Sequence, residues 1–187
     1  MSTLTNPPSN PLLLGRLRRV TTFVRVLIAL GAAMLVGHEV LVWTSPERVL
    51  QELKDLTEVS CVDRVTPEAQ VLGALFALLP MGVALAGLAC LWRLFSEYRE
   101  ARIFSPKALH SLGGFARCLL VTGFAAPLYG TALSLILTWV NGPGRREISI
   151  YVNSAHYAML LLGAVLLAIS SVMREAARVA EDHAGFV

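Results

Sequence analysis

Four long runs of apolar residues divide the chain, and short polar stretches separate each run from the next. The runs cover roughly residues 20–43, 69–92, 112–140 and 152–173. A hydrocarbon core of about 30 Å is crossed by about 20 residues of helix, so each run is long enough to span a bilayer once. The pattern predicts an all-α integral membrane protein with four spanning helices in one bundle.

Composition supports a membrane protein with little structure outside the spans. Apolar residues make up 55% of the 187 residues and charged residues 16%, and mean hydropathy is +0.62. Soluble domains carry about 25% charged residues. We expect a bundle domain at residues 20–173, a mobile tail at 1–19, and a helical extension of the last span at 174–187.

The distribution of basic residues predicts the orientation. If the N-terminus is inside, eleven of the 16 Lys and Arg residues lie on the inner side and five on the outer side. Positive charge concentrates on the cytoplasmic side of membrane proteins, so both termini are predicted to be cytoplasmic. The pI near 9.0 is then explained by topology and anionic lipid, and no nucleic-acid partner is expected.

Ser/Thr-Pro pairs mark three predicted helix starts: Ser45-Pro46, Thr66-Pro67 and Ser105-Pro106. The hydroxyl caps a free backbone N–H, and proline lacks an N–H where none is needed. The first pair begins an amphipathic segment with Val49 and Leu50 on its apolar side. Two positions are open for this segment: flat in the outer interface, or packed across the mouth of the bundle.

Prolines also occur inside the second and third spans, as Pro80 and Pro127, at similar predicted depth. Each removes a backbone hydrogen bond and bends its helix, and small residues follow both. One interpretation is a kinked, tightly packed helical hairpin. The other is a hinge or a lined cavity.

Polar residues near the outer ends of the spans are candidates for chemistry. His38 and Glu39 lie in the first span and His156 in the fourth, and these two helices are neighbours in an up-down bundle. Two facing histidines are able to hold a haem or, with Glu39, to relay protons. The alternative is that all three residues reach the headgroup region and bind water or one another.

Motifs of enzyme active sites are missing from the sequence. It contains no GxSxG, HExxH, P-loop or GxGxxG pattern, and its three cysteines lack CxxC spacing. We therefore expect a non-enzymatic protein without a resident cofactor or metal.

Aromatic and charged residues concentrate on the predicted inner face and suggest a contact surface for anionic lipid or a protein partner. The candidates are Arg93, Phe95, Tyr98, Arg102, Phe104, Arg117, Arg174, Arg178, Glu181 and Asp182. The alternative is a solvated helix end and a loop that packs on its own bundle. Arg117 itself either snorkels to the surface or pairs with Glu97, Glu100 or Glu175.

The same inner regions carry a family resemblance. Leu94-Phe95, Ile103-Phe104-Ser105-Pro106, Leu112 and Gly114, with the tail at 173–182 and Phe186-Val187, resemble the YoaS-like bacterial four-span membrane proteins. His183 stands where family tails often carry asparagine. The resemblance implies a multi-pass protein of the bacterial inner membrane, and some members are encoded beside small Cro/CI-type regulators.

Three functional hypotheses follow. The first is an accessory or regulatory component that acts through its cytoplasmic loop and tail. The second is a small redox or transport unit that uses His38, Glu39 and His156. The third is a structural homo-oligomer held together by small residues on helix faces.

Overall fold

The computed structural model describes residues 11–57, 65–100, 102, 105–138 and 152–184. These residues form five α-helices and no strand: α1 (Pro11–Trp43), α2 (Pro46–Thr57), α3 (Pro67–Arg99), α4 (Pro106–Thr138) and α5 (Ser154–Ala184). Four of these helices, all except α2, are long and apolar enough to cross a membrane. The prediction of an all-α fold with four helices able to span a membrane is confirmed for the described residues, and these helices indicate a multi-pass membrane protein.

The helix starts form as the Ser/Thr-Pro pairs predict. The Thr66 side chain accepts a hydrogen bond from the Ala69 N–H at 3.3 Å, and the Ser105 hydroxyl accepts one from the Ala108 N–H at 3.1 Å. The first helix begins earlier than expected, at Pro11, so residues 11–19 of the predicted tail are helical. Proline suits the first turn and the leucines after it favour helix, which explains the earlier start. Residues 1–10 lie outside the described residues.

The spanning helices pack in chain order. Among the described residues α1 packs against α3, α3 against α4, and α4 against α5, while α2 contacts α1 and α4. The first and fourth spans are not a packed pair, so the expectation that they are neighbours is wrong. The faces of α1 and α5 that point away from the bundle are apolar. Lipid solvates such faces, so they need no protein partner.

Small residues bring α4 close to both of its neighbours. A Cβ added at Gly114 would lie 2.8 Å from the Cys90 sulfur of α3, and one at Gly163 of α5 would lie 2.9 Å from Leu120. The apolar window of α4 is 22% buried, against 11% for each of the other spans. Glycines at these contacts let the backbones approach, which makes α4 the central helix.

Helix α2 packs across one end of the bundle, the second of its two predicted positions. Val49 is only 2% exposed and belongs to a core cluster with residues of three other helices: Val42, Ala69, Leu133 and Leu137. The Trp43 ring covers Gly73, and the Gln70 amide donates to the Trp43 carbonyl at 2.6 Å. We call this closed side of the molecule the α2 end.

Large apolar side chains cover the outside of the spans. Phe124 is 69% exposed and Leu128 72% exposed, and similar residues line α1, α3 and α5. Such exposure would favour aggregation in water but is expected for side chains that contact lipid tails. The outward apolar surface therefore agrees with four membrane spans.

Candidate functional site

The opposite side of the molecule, which we call the basic end, consists of three segments at one level. They are the α3–α4 turn, the part of α1 near Arg25, and α5 from Ser170 onward. The Arg25 guanidinium lies 4.0 Å from the centre of the Trp92 ring, a cation–π contact between α1 and α3. The Ser170 hydroxyl donates to the Leu109 carbonyl at 3.0 Å and joins α5 to α4.

Basic residues accumulate at this end of the described chain, while α2 at the other end carries Arg48 and Lys54. The residues near the basic end are Arg18, Arg19, Arg25, Arg93, Arg99, Arg102, Lys107, Arg117, Arg174 and Arg178. Three carboxylates of the described side chains balance part of this charge, at Glu97, Glu100 and Glu175. The basic end therefore carries net positive charge and favours anionic partners.

Glu97 organises the α3–α4 turn. Its carboxylate accepts a hydrogen bond from the Ser105 hydroxyl at 2.9 Å and pairs with Arg102 Nε at 3.3 Å. Its side chain is 15% exposed, and its backbone carbonyl also accepts the Arg102 N–H at 3.1 Å. Because Ser105 also caps α4 through the Ala108 N–H, one hydroxyl connects the end of α3 to the start of α4.

Two of the predicted contact residues of α3 form an aromatic pair. The Phe95 and Tyr98 rings meet edge to face with centroids 5.7 Å apart, a favourable arrangement. Arg102 is held in the turn by Glu97 and also contacts Glu100. Phe104 lies outside the described residues.

Beside the turn lies a polar cavity of about 450 Å³, lined by Arg93, Glu97, Pro106, Lys107, His110 and Ser111. Ligand pockets commonly measure about 300–1,000 Å³. The sequence pattern singled out Arg93 as a contact residue but not Lys107, His110 or Ser111. The sequence does contain a signal for two of them: Lys107 and His110 are three residues apart in the first turns of α4, so they share a face of the helix.

Helix α5 extends past the start of α4. Because Leu109 is level with Ser170 and the two helices are antiparallel, Pro106 lies near Met173. Residues 178–184 therefore lie beyond the start of α4 and form about 10 Å of helix. Arg178 pairs with Glu175 at 2.6 Å on this segment, and Val179 is 43% exposed. Glu181 and Asp182 lie near its end.

The other two predicted arginines bind their own helices. Arg117 Nε donates to the Gly113 carbonyl at 3.2 Å, and Arg174 Nε donates to the Ser170 carbonyl at 3.3 Å. Among the described residues Arg117 has no ion pair with Glu97, Glu100 or Glu175. Their side chains thus satisfy local backbone oxygens rather than linking helices.

The polar residues of the second hypothesis are not brought together. His38 Nε2 lies 3.8 Å from a Glu52 oxygen of α2, and the Glu39 carboxylate accepts from the Trp43 indole at 3.0 Å. His156 lies on α5, where its Nδ1 accepts from the Asn153 N–H at 3.3 Å. Among the described residues α1 and α5 are not a packed pair, so the two histidines do not lie on adjacent helices. Cofactor binding at His38 or His156 stays a prediction.

An apolar groove of about 430 Å³ runs between α3 and α4 past Pro80. Tyr129 and Phe76 line it with their rings stacked, 5.3 Å between centroids. This pairing places Pro80 opposite Ala125, two residues from Pro127, so the two prolines lie at nearly the same depth. A hinge at Pro80 and Pro127 stays a prediction.

The chain belongs to the family described as "Protein of unknown function (DUF2975)", whose model matches residues 43–185. The match contains α2 to α5 and hence the cavity and most of the basic end. Membership of an uncharacterised family, as predicted, is confirmed; the YoaS-like name stays a prediction. No curated protein and no solved structure matches the chain.

Proposed function

We propose that this protein is a non-enzymatic accessory or regulatory component of the bacterial inner membrane. It has both termini in the cytoplasm and binds a protein partner with its basic end. The orientation is supported by the accumulation of Lys and Arg at that end, since positive charge favours the cytoplasmic side. The family resemblance supports the bacterial membrane and a regulatory context.

The observation that carries the proposal is the free segment of α5. Within residues 178–184, Val179 and Ala180 are exposed, and Ala176, one turn earlier on the same face, is exposed beside Arg174, Glu175 and Arg178. Among the described helices, only α4 packs extensively on α5. Pro106, the first residue of α4, is level with Met173, so residues 178–184 lie beyond this end of α4. An exposed helix with small apolar and paired charged residues offers a partner both contact area and specificity.

The α3–α4 turn supplies the second part of the binding surface. Contacts among Glu97, Arg102 and Ser105 join the end of α3 to the start of α4, so these described residues offer a partner a preorganised surface. Preorganised surfaces bind at a lower entropic cost than flexible ones. The Phe95 and Tyr98 pair adds aromatic area, which is enriched in protein interfaces.

The proposal is tested by site-specific photo-cross-linking in native membranes. A photoreactive residue at position 179 is expected to give a covalent adduct with a different protein, identified by mass spectrometry. Position 169 is the matched control, because Ile169 lies on the same helix and is 44% exposed, against 43% for Val179. Ile169 lies within the span and is expected to give lipid adducts alone.

A truncation separates binding from folding. Ending the chain after Ala177 removes the free segment but keeps every α5 residue that is level with α4. The partner identified at position 179 should then no longer co-purify, while membrane insertion is unchanged. Equal protein adducts at 169 and 179, an adduct with a second copy of this chain, or unchanged co-purification of the truncated chain would contradict the proposal.

A further inference from the structure

The strongest unassigned feature of the molecule is the polar cavity between the end of α3 and the start of α4. We infer that this cavity binds a phosphate group through Arg93, Lys107 and His110. The inference needs no protein partner, so it can fail or succeed independently of the proposed function.

The charge balance of the lining favours an anion. Arg93, Lys107 and His110 are exposed and form no hydrogen bond or ion pair within the part of the chain that the structure describes. Glu97 is the one carboxylate of the lining, and it is already paired with Arg102 and the Ser105 hydroxyl. Two uncompensated cations, a histidine and the Ser111 hydroxyl therefore remain for a ligand.

The backbone adds to this preference. Pro106 and Lys107 belong to the first turn of α4, a helix of 33 residues, and the N-terminal end of a helix carries partial positive charge. The side chains alone place two cations at the cavity, and the helix end reinforces their field. A phosphate group meets donors on both sides of the cavity, from α3 and from α4.

The level of the cavity in the membrane makes an anionic lipid one source of that phosphate. Arg93 directly follows Trp92, which is 38% exposed and lies at the end of the apolar run of α3. Tryptophan marks the level of lipid headgroups in spanning helices. The cavity is thus at the level of lipid phosphates, and it is also open to phosphate dissolved in water.

The test uses the purified full-length protein in uncharged detergent. Short-chain phosphatidylglycerol, phosphatidylcholine and inorganic phosphate are titrated separately, and bound lipid is counted by native mass spectrometry. The double variant Arg93→Gln/Lys107→Gln is expected to weaken phosphatidylglycerol binding by at least about tenfold, since each basic group contributes about 1 kcal/mol near a lipid surface. Phosphatidylcholine binding should change far less.

The matched control is Arg48→Gln/Lys54→Gln, which removes the same charge from α2 at the opposite end. It should retain phosphatidylglycerol affinity within about twofold of the wild type. Should the Arg93 double variant fail to fold, Lys107→Gln alone serves, because Lys107 is exposed on the first turn. Its expected loss is about fivefold.

The two sources of phosphate give different results. Displacement of the lipid by millimolar inorganic phosphate, lost in the Arg93 variant, would assign the cavity to a soluble phosphate compound. Retention of phosphatidylglycerol against that competition would assign it to a lipid headgroup. Equal binding of all ligands by wild type and the Arg93 and Lys107 variants would overturn the inference.

Discussion

The two ends of the bundle are stabilised by different means. At the α2 end, Val49 and the Trp43 ring fill the space between helices, and the core cluster there is apolar. At the basic end, the α3–α4 turn is held by the carboxylate of Glu97 and the hydroxyl of Ser105. The centre of the α2 end is filled by apolar side chains, whereas the basic end is joined by polar contacts and carries most of the accessible positive charge of the described residues.

This difference indicates a division between stability and recognition. Dry, close packing contributes to stability but offers no polar group to a ligand. A polar network contributes less to global stability, because protein hydrogen bonds replace bonds to water. We therefore expect substitutions at the α2 end to lower global stability and substitutions at the basic end to act locally.

The largest effect is expected for Gly73→Val. A Cβ at this position overlaps the Trp43 ring, so α1 and α3 must separate or the indole must leave its site. Overpacking of this kind lowers the free energy of unfolding by about 1–3 kcal/mol. Chemical unfolding in mixed micelles, followed by circular dichroism, measures the change.

Gly31→Val is the matched control. Gly31 lies on α1, the helix that carries Trp43, and a Cβ added there meets no atom within 4 Å. Its expected effect is below about 0.5 kcal/mol. If both valines destabilise the protein equally, close packing at Gly73 is not the reason for the stability of the α2 end.

A smaller and local effect is expected for Ser105→Ala. The substitution removes the cap of α4 and one donor to the Glu97 carboxylate, at a cost of about 1–2 kcal/mol. Hydrogen exchange of the Ala108 amide should become faster, while exchange at the α2 end stays unchanged.

Ser96→Ala is the control for this second prediction. The Ser96 hydroxyl donates to the Trp92 carbonyl of its own helix at 2.9 Å, so its loss leaves no helix end uncapped. Equal exchange rates of Ala108 in both alanine variants would show that the cap does not hold the turn.

The smallest effect is expected for His38→Gln, which tests whether polar contacts matter at the α2 end. His38 and Glu52 are 3.8 Å apart with side chains 60% and 35% exposed. Such surface pairs contribute less than about 1 kcal/mol to stability, so the free energy of unfolding should fall by about 0.5 kcal/mol or less. A larger loss, or a loss of visible absorption from the purified protein, would revive the cofactor hypothesis.

Local sequence signals predicted the helices well and their arrangement poorly. Thr66-Pro67 and Ser105-Pro106 identified two helix starts because capping depends only on neighbouring residues. The pairing of His38 with His156 failed because it depended on which spans pack together. Apolar spans do not specify their neighbours by hydrophobicity, since lipid satisfies the same faces.

Some residues of the candidate site could be predicted from the sequence, and others could not. Arg93, Phe95 and Arg102 were predicted from the mixture of aromatic and basic residues, but Lys107 and His110 were missed. They line the cavity with Arg93 because α3 and α4 are antiparallel and the Glu97 network folds the turn between them. A contact between residues 14 or more positions apart is not a local property of the chain.

The sequence by itself determined that the chain forms four membrane-spanning helices, where three of its helices begin, and the uneven distribution of its charge. These properties follow from hydropathy, capping and residue identity, each of which acts over a few neighbouring residues. The tertiary structure alone decided that α4 is central, that α2 closes one end, and that Lys107 and His110 face Arg93. Those outcomes depend on contacts between residues far apart in the chain, and only the packed molecule specifies such contacts.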